Sequence, residues 1–132
     1  MAEETAKRIL GTKKVAGTDG TWAQCTRRGQ LLFISGQVAL DADGNLVGKD
    51  DFEAQARQTL DNLEAMLEAG GAGMHDLMMI TVFVTDMGNR PIFAKVRDGY
   101  FRENPPASTM VEIKRLVMDE LLLEVNAVAI VG

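Results

Sequence analysis

Few side chains in this 132-residue chain have the chemistry of a catalyst. It contains one histidine, His75, and one cysteine, Cys25. His75 follows the stretch GGAGM in a predicted loop between a helix and a strand, where a solvated side chain is the usual outcome. Cys25 falls in a predicted strand, where a lone cysteine is usually a small packed apolar residue. One histidine and one cysteine without clustered carboxylates predict no metal site, and no cofactor is expected.

The other candidates are polar residues on stretches that are otherwise apolar. Glu124 lies inside LLLEVNAVAIV, where a buried carboxylate needs a hydrogen-bond donor, water or an opposite charge. Ser35 lies in FISGQ, and the pair Ser108 and Thr109 follows two prolines in NPPASTMVEI. Glu124 is interpreted either as a partly solvated residue at a strand edge or as the acid of a ligand pocket.

Two helices are predicted to support these residues. The first follows Asp50, which is the predicted N-cap with Glu53 completing a capping box, and it ends at Gly70 and Gly71. The second covers residues 90–102 with Pro91 in its first turn. The apolar residues of the first helix recur at spacings of three and four and share one face: Phe52, Ala56, Leu60, Leu63 and Leu67.

Five strands are predicted, over residues 22–28, 30–36, 77–86, 107–114 and 121–131. A tight hairpin link is expected at 28–30 and a turn at 41–45. Because each helix has one apolar face, both must cover an apolar face of the sheet. The sequence therefore predicts an α+β fold with a mixed sheet and both helices on one side, in a single domain spanning 1–132.

The opposite face of this sheet is also largely apolar. In the last strand, five residues alternate to one side: Leu123, Val125, Ala127, Ala129 and Val131. The other side has two polar insertions among apolar residues: Leu122, Glu124, Asn126, Val128 and Ile130. In 107–114, one side consists of Thr109, Val111 and Ile113, and the other side consists of Ser108, Met110, Glu112 and Lys114. Such a second face suits a subunit interface better than open water, so an oligomer is expected.

Composition narrows the function classes. The chain has 19 Asp and Glu against 14 Lys and Arg and a pI near 4.8, which disfavours nucleic acid as a partner. No stretch approaches the roughly 18 consecutive apolar residues of a membrane helix, so no membrane partner is expected. The first ten residues lack the layout of a secretion signal, and a lone cysteine cannot form an internal disulfide. We therefore expect a cytoplasmic protein.

Four stretches, taken in order, resemble the Rid (YjgF-type) reactive-intermediate deaminase family: FISGQVALD, AQARQTLDNLEAMLEAGGAGMHDLMMITVFVTDM, PASTMVEIKRL and LLLEVNAVAIV. The resemblance extends from about Trp22 to the end of the chain. It implies a chorismate-mutase-like fold assembled as a homotrimer, with helices outside and sheets at the centre. It also implies small-molecule sites in clefts between subunits, where deaminating members hydrolyse enamines and imines such as 2-aminoacrylate to a keto acid and ammonia.

The resemblance also implies roles for individual residues. Trp22 falls where typical deaminases have a tyrosine, and its ring can stack on a ligand but has no hydroxyl. Ser35 and Gly36 match the serine and glycine of the family's SGQ motif. Glu124 matches the glutamate that orients the hydrolytic water.

One departure from the family concerns substrate binding. Deaminating members read Pro-Ala-Arg-Ser where this chain has Pro106, Ala107, Ser108 and Thr109, so Ser108 replaces the arginine that holds the substrate carboxylate. A hydroxyl cannot reproduce the bidentate guanidinium contact, which contributes roughly 1.5 to 3 kcal/mol. Affinity for a small 2-imino acid should therefore fall by about one to two powers of ten. Ser108, Thr109 and Met110 are expected to line the ligand site.

Arg97 is a candidate replacement for the missing cation. It lies in FAKVRDGYF on the second predicted helix, where typical deaminases have an uncharged residue. An arginine between Lys95 and Asp98 on a surface helix is usually only a solvated charge. The alternative interpretation is that Arg97 of an adjacent chain reaches a ligand anion that Ser108 cannot hold.

Two functions remain open from the sequence. The first is an enamine or imine deaminase, a hydrolase acting on a small molecule other than 2-aminoacrylate. In it, Glu124 positions water and Ser35 or Ser108 bonds the substrate. The second is a non-catalytic trimeric protein that binds a small molecule or regulates, having kept the fold and the cleft without turnover.

Overall fold

The computed structural model describes residues 6–132 and contains one six-stranded sheet and two α-helices. In chain order these are β1 (Lys7–Ile9), β2 (Cys25–Arg28), β3 (Leu31–Gln37), α1 (Phe52–Ala69), β4 (Leu77–Val84), α2 (Arg90–Phe101), β5 (Ala107–Glu112) and β6 (Leu123–Ile130). The strand order is β1-β2-β3-β6-β4-β5. Strands β4 and β5 run parallel, because α2 forms the crossover between them, and the other neighbours run antiparallel.

The predicted mixed sheet with two helices is confirmed, and its boundaries differ from the prediction in small ways. Strand β1 lies outside every predicted stretch. It has three residues and two of them are charged, so neither its length nor its alternation gives a strand signal. Strand β2 begins at Cys25, which leaves Trp22 in the preceding loop. Among residues 6–132, no helix has the length and apolar character needed to cross a membrane.

The start of α1 corrects the predicted cap by one residue. Asp51 is the N-cap, and its side chain accepts a hydrogen bond from the backbone N–H of Ala54 at 3.1 Å. Asp51 has the extended backbone that an N-cap requires, whereas Asp50 has φ +59° and cannot fill that place. Glu53 therefore does not complete a capping box. The helix ends as predicted at Gly70, followed by Gly71 with φ +87°, which favours glycine.

Both helices pack on the same face of the sheet and form one core with it. The predicted apolar face of α1 is buried in full, and Phe93 and Val96 of α2 join it. The sheet contributes alternate residues to the same core: Leu32, Ile34, Ile80, Val82, Val84, Leu123, Val125, Ala127 and Ala129. The hydroxyl of Tyr100 donates a hydrogen bond to Asp61 at 2.7 Å and so links α2 to α1. Burial and this bond to Asp61 raise the pKa of Tyr100.

The other side of the sheet, which we call the open face, is covered by no helix within residues 6–132. The register pairs Phe33 with Val128 and Leu31 with Ile130, and all four side chains point to this face. Phe33 is 51% exposed and Ile130 is 44% exposed. The alternation predicted for the last strand is confirmed, because β6 residues alternate between buried and half-buried, whereas nearly every residue of β5 is exposed. A contiguous apolar surface of this kind is typical of an interface.

Candidate active site

The sheet register separates the two polar groups on which the sequence argument rests. Glu124 pairs with Phe83 and so points to the open face. Ser108 pairs in parallel with Ile80, whose side chain is fully buried under the helices, so Ser108 points to the helix-covered face. The two candidates therefore lie on opposite sides of the same sheet.

A break in the register of β3 creates the surroundings of Glu124. The pairing of β3 with β6 is regular up to Ile34 and shifts before Gln37, so Ser35 and Gly36 form a bulge. The Glu124 side chain packs directly over Gly36. A Cβ atom added to Gly36 would lie 2.7 Å from Glu124 Cγ and still closer to its carboxylate. Glycine at position 36 therefore leaves the space that the glutamate side chain occupies.

The carboxylate of Glu124 is partly buried without a compensating partner. Within residues 6–132, no side chain or backbone group forms a hydrogen bond or ion pair with it. Burial raises the pKa of Glu124 above the ordinary range of a glutamate. A raised pKa makes the carboxylate a stronger base, so it accepts a proton from a bound molecule more readily than an exposed glutamate does.

A cavity of about 500 Å³, which we call the Glu124 cavity, opens beside this carboxylate. It brings together four of the predicted site residues: Trp22, Ser35, Gly36 and Glu124. The Trp22 ring is 48% exposed at the cavity, so its face is free to stack on a planar ligand. This volume lies in the usual range for small-molecule sites.

The hydroxyl of Ser35 is already engaged. It donates a hydrogen bond to the carbonyl of Ala23 at 2.7 Å, and the Ser35 backbone N–H donates to the carbonyl of Gln24 at 2.9 Å. These two bonds hold the loop that contains Trp22 against the bulge. Toward a ligand, Ser35 can act as a hydrogen-bond acceptor, since its proton is used.

Three amide side chains at the cavity were not predicted from the sequence. Gln37 donates to the side-chain oxygen of Gln24 at 2.7 Å, and Gln24 donates in turn to the carbonyl of Ala16 at 3.3 Å. Asn62 of α1 donates to the carbonyls of Val38 and Leu40, both at 2.9 Å. Gln37 belongs to the quoted stretch FISGQ, so its type was visible. Its burial was not, because the bulge that turns it inward has no sequence signature of its own.

A second cavity, of about 350 Å³, lies on the helix-covered side and is called the Arg97 cavity here. It is lined by Ile80, Arg97, Asp98, Phe101, Arg102, Pro105, Pro106 and Ser108. Arg97 and Ser108 of the same chain therefore meet in one cavity, whereas the sequence argument considered Arg97 from an adjacent chain. The two cavities have no lining residue in common.

The neighbours of Ser108 on β5 point in different directions. Thr109 pairs with Thr81 and points to the open face, away from the Arg97 cavity. Met110 pairs with Val82 and packs partly buried against the core. Of the three consecutive residues predicted to line a ligand site, Ser108 lines the Arg97 cavity, and Thr109 and Met110 are not among the described residues that line either of the two cavities.

His75 and Cys25 lie apart from both cavities. His75 is exposed in a short 3-10 helix, Met74–Asp76, that leads into β4. Cys25 is buried in the core, and burial raises the pKa of its thiol. Among residues 6–132, no group of three or more His, Cys, Asp or Glu side chains is arranged to hold a metal ion.

Comparison with known proteins identifies relatives over almost the whole chain. Residues 12–131 match the family model described as endoribonuclease L-PSP. A RutC family protein of Pyrococcus horikoshii is 35% identical over 123 residues, covering 93% of this chain and 97% of the relative. The 2-iminobutanoate/2-iminopropanoate deaminase of Salmonella typhimurium is 31% identical over 126 residues, covering 93% and 97%. The crystal structure of Escherichia coli TdcF with bound serine is 30% identical, with a TM-score of 0.86, and covers 96% and 100%.

Proposed function

The chain belongs to the endoribonuclease L-PSP family, the family of the Rid deaminases, and on that premise we propose that it hydrolyses a small imine or enamine in the Glu124 cavity. One observation supports this most directly: the carboxylate of Glu124 borders a ligand-sized cavity, has a raised pKa and has no partner among residues 6–132. A relative named as an imine deaminase supports the reaction class.

The proposed reaction needs one group that exchanges protons. Water adds to the carbon of the C=N bond, and Glu124 accepts a proton from that water as the C–O bond forms. The same carboxyl group gives that proton to the nitrogen, which completes a carbinolamine. Glu124 then takes the hydroxyl proton of the carbinolamine and passes it to the amino nitrogen, so that the C–N bond breaks, ammonia leaves and a C=O bond remains. For an enamine, protonation at carbon comes first and gives the imine. The balance requires only water, so no cofactor is invoked.

The remaining residues of the cavity position the reactants. The exposed face of Trp22 can stack on the planar C=N group. Gly36 leaves space for the Glu124 side chain. Ser35 holds the Trp22 loop to the bulge through its bond to Ala23 and offers an acceptor lone pair to the ligand.

We further propose that 2-aminoacrylate is a poor substrate. Position 108 is a serine, and a hydroxyl cannot grip the carboxylate of a three-carbon acid as a guanidinium does. The expected reduction in affinity is about one to two powers of ten.

We also propose that the working form is a homotrimer with its ligand between subunits. The apolar open face supports an assembly, because it leaves Phe33, Val111 and Ile130 exposed in the single chain. Glu124 and Ser108 lie on opposite sides of the sheet, so a ligand that touches both must meet them on two different chains.

A non-catalytic small-molecule-binding or regulatory protein is the second candidate. It is favoured by one feature: among the described residues that line the Glu124 cavity, Glu124 is the only titratable one. A site with one acid and several amides can hold a ligand without turning it over.

The test compares turnover in three proteins. Imines generated in solution from a panel of amino acids by an amino-acid oxidase are mixed with the wild type, Glu124→Gln and Glu120→Gln. The control, Glu120, is exposed and lies outside the cavity. Glu124→Gln should slow ammonia release by about a hundredfold or more, whereas Glu120→Gln should not change it. If none of the three proteins accelerates ammonia release from any imine of the panel, and mass spectrometry finds a metabolite that stays bound during purification, the binding role is supported instead.

A further inference from the structure

The side-chain amide of Gln37 is fixed in one orientation by its neighbours. Its nitrogen donates to the side-chain oxygen of Gln24 at 2.7 Å and to the carbonyl of Ser35 at 3.0 Å, which uses both of its N–H groups. Gln24 is fixed in turn, because its own nitrogen donates to the carbonyl of Ala16. A half-turn of the Gln37 amide would place its oxygen against two other oxygens. The oxygen Oε1 of Gln37 therefore points away from these partners.

That oxygen has no hydrogen-bond partner in the protein. Within residues 6–132, no group donates a hydrogen bond to Gln37 Oε1. In the same part of the chain, Thr59 Oγ1 is the one side-chain oxygen or nitrogen that is both sealed from open space and without a partner. Gln37 Oε1 therefore reaches open space, although the residue is only 2% exposed. The space that Gln37 lines is the Glu124 cavity.

Two other buried amides show what a purely structural role requires in this fold. Asn62 donates to two backbone carbonyls, and its oxygen accepts from Gln58 at 2.9 Å. Gln55 also donates to two carbonyls, and its oxygen accepts from the backbone N–H of Leu122 at 2.9 Å. Both ends of these amides are bonded, whereas Gln37 uses its donor end alone. A buried acceptor without a partner costs free energy, so its position at a cavity indicates a ligand that donates.

The free side-chain groups of the Glu124 cavity are mostly acceptors. Ser35 uses its proton on the carbonyl of Ala23 and keeps its lone pairs, and the carboxylate of Glu124 accepts only. Trp22 is an exception, with one indole N–H. A ligand nitrogen with N–H donors matches this set better than a carbonyl oxygen does. In the proposed reaction that nitrogen has one N–H in the imine, two in the carbinolamine and three in ammonia.

We propose that Gln37 is a substrate-binding residue whose Oε1 accepts a hydrogen bond from the substrate nitrogen and orients it in the Glu124 cavity. This inference rests on the proposed function for the reaction and adds the residue that recognises the leaving nitrogen. Gln37 exchanges no proton, since an amide does not titrate in this range. The keto product has an oxygen where the imine had N–H, so Gln37 binds the substrate better than the product and favours product release.

The experiment measures binding of a stable nitrogen ligand. Propionamidine is a planar cation with N–H donors on its C=N group, and methyl propionate is a ligand of similar size without N–H donors. Both are titrated by NMR into the wild type, Gln37→Met, Gln37→Glu, Gln24→Met and Gln30→Met. Gln30 is an exposed glutamine that does not line the cavity. Thermal melts establish that each variant is folded.

The two substitutions of Gln37 separate its oxygen from its nitrogen. Gln37→Met removes both, whereas Gln37→Glu removes the N–H donors and keeps an oxygen toward the cavity in either protonation state. Gln37→Met should weaken binding of propionamidine about ten- to a hundredfold, and Gln37→Glu should bind it at least as tightly as the wild type does. A purely structural role would instead weaken both variants equally, because both lose the bonds to Gln24 and Ser35.

The controls define the size of indirect effects. Gln24→Met removes a partner of the Gln37 amide and leaves Oε1 in place, so it should weaken binding of propionamidine by about threefold or less. Gln30→Met should leave it unchanged. Binding of methyl propionate should change by less than about twofold in every variant, because this ligand has no N–H to donate.

Each contrary result has a distinct meaning. Equal binding of propionamidine by the wild type and Gln37→Met, or no binding by the wild type, would overturn the role of Gln37. Weakened binding by Gln37→Glu would overturn it as well, and this variant decides the matter if Gln37→Met does not fold. Binding that depends on Gln37, in a protein that hydrolyses no imine, would uphold the nitrogen site and reject the proposed enzymatic function. Imine hydrolysis that requires Glu124 and is unaffected by Gln37→Met would do the reverse.

Discussion

The two cavities of this chain differ in their charged groups, and the residues Glu124 and Ser108 that line them point to opposite faces of one sheet. The Glu124 cavity contains a carboxylate, three amides and an indole, and no lysine or arginine lines it among the described residues. The Arg97 cavity contains two guanidinium groups, one carboxylate and a hydroxyl. A guanidinium beside Glu124 would lower the pKa of its carboxyl group and weaken the carboxylate as a proton acceptor. Separation of the two cavities keeps the guanidinium groups of Arg97 and Arg102 away from the Glu124 carboxylate.

Under the proposed function, one chain does not bring both Glu124 and Arg97 to the same small ligand, because the two residues line different cavities. A ligand in the Glu124 cavity of one chain cannot reach Arg97 of that chain through the sheet. A second copy that covers the open face could bring its own Arg97 cavity to the first chain's carboxylate. Under the proposed function, catalysis therefore depends on the oligomeric state of the protein.

The largest expected effect comes from breaking that assembly. Phe33→Asp puts a charge in the middle of the apolar open face, where burial in an interface would leave the carboxylate unpaired. The wild type should sediment as a trimer of the 14.4 kDa chain at low micromolar concentration. The variant should dissociate and lose at least about a hundredfold in imine turnover.

Ile92→Asp is the matched control for this substitution. Ile92 is also an exposed apolar residue, but it lies on α2 and not on the open face. The control should remain assembled and active. A wild-type protein that is a folded, fully active monomer at that concentration would refute the link between the open face and catalysis.

A smaller loss is expected from a change inside the Glu124 cavity. The added methyl group of Gly36→Ala would overlap the Glu124 side chain, so the carboxylate must move away from the bulge. Imine turnover should fall about tenfold to a hundredfold, while stability falls less because a flexible side chain can yield. Gly99→Ala is the control, since a Cβ at this position of α2 meets nothing within 4 Å. That variant should keep its activity and gain up to about 1 kcal/mol of stability.

A gain of function is expected on the other side of the sheet. Ser108→Arg adds a guanidinium on β5, where a three-carbon acid can be held against the strand, and 2-aminoacrylate hydrolysis should rise about tenfold. Ser108→Lys should give a smaller rise, because an ammonium group cannot form the bidentate contact. Rapid hydrolysis of 2-aminoacrylate by the wild type would show that position 108 does not limit this substrate.

The elements of the fold were largely visible in the sequence, because they follow from periodic burial. The apolar spacing from Phe52 to Leu67 gave α1, and the alternation from Leu123 to Val131 gave both faces of β6. The N-cap was misplaced by one residue since Asp50 and Asp51 have the same side chain, and only the backbone distinguishes them. Strand β1 was missed because its pairing with β2 decides its structure.

The site was harder to predict because it depends on pairing between distant strands. The sequence indicated Glu124, Ser35 and Gly36 separately, and the shift in register between β3 and β6 is what packs Glu124 over Gly36. The sequence also treated Ser108 and Glu124 as parts of one pocket. The two residues point to opposite faces because Ser108 pairs with Ile80 and Glu124 pairs with Phe83 on β4. Ile80 and Phe83 are three positions apart on the strand and so lie on opposite faces. No local sequence pattern predicts these two pairings.

The smallest expected effect concerns the stability of the folded chain. Burial raises the pKa of Glu124, so the folded state binds this proton more tightly than the unfolded state does. The stability that this proton contributes is fully present below the ordinary pKa of a glutamate and is lost as the pH rises through the higher folded-state value. Glu124→Gln removes this loss and should therefore be more stable than the wild type at pH 7, with the difference shrinking toward pH 3.5.

The difference in stability between Glu124→Gln and the wild type at pH 7 tests whether the Glu124 carboxylate is unpaired in the folded protein. Glu124 is only partly buried, so the gain at pH 7 should be under about 1 kcal/mol after solvent screening. Urea denaturation at both pH values and one fixed protein concentration measures it, with Glu120→Gln as the exposed control. If Glu124→Gln is instead less stable than the wild type at pH 7, a cation from a second chain reaches Glu124 in the assembly. In that case the carboxylate would be paired and not a free acid, and the two cavities would be linked by charge across the subunit boundary.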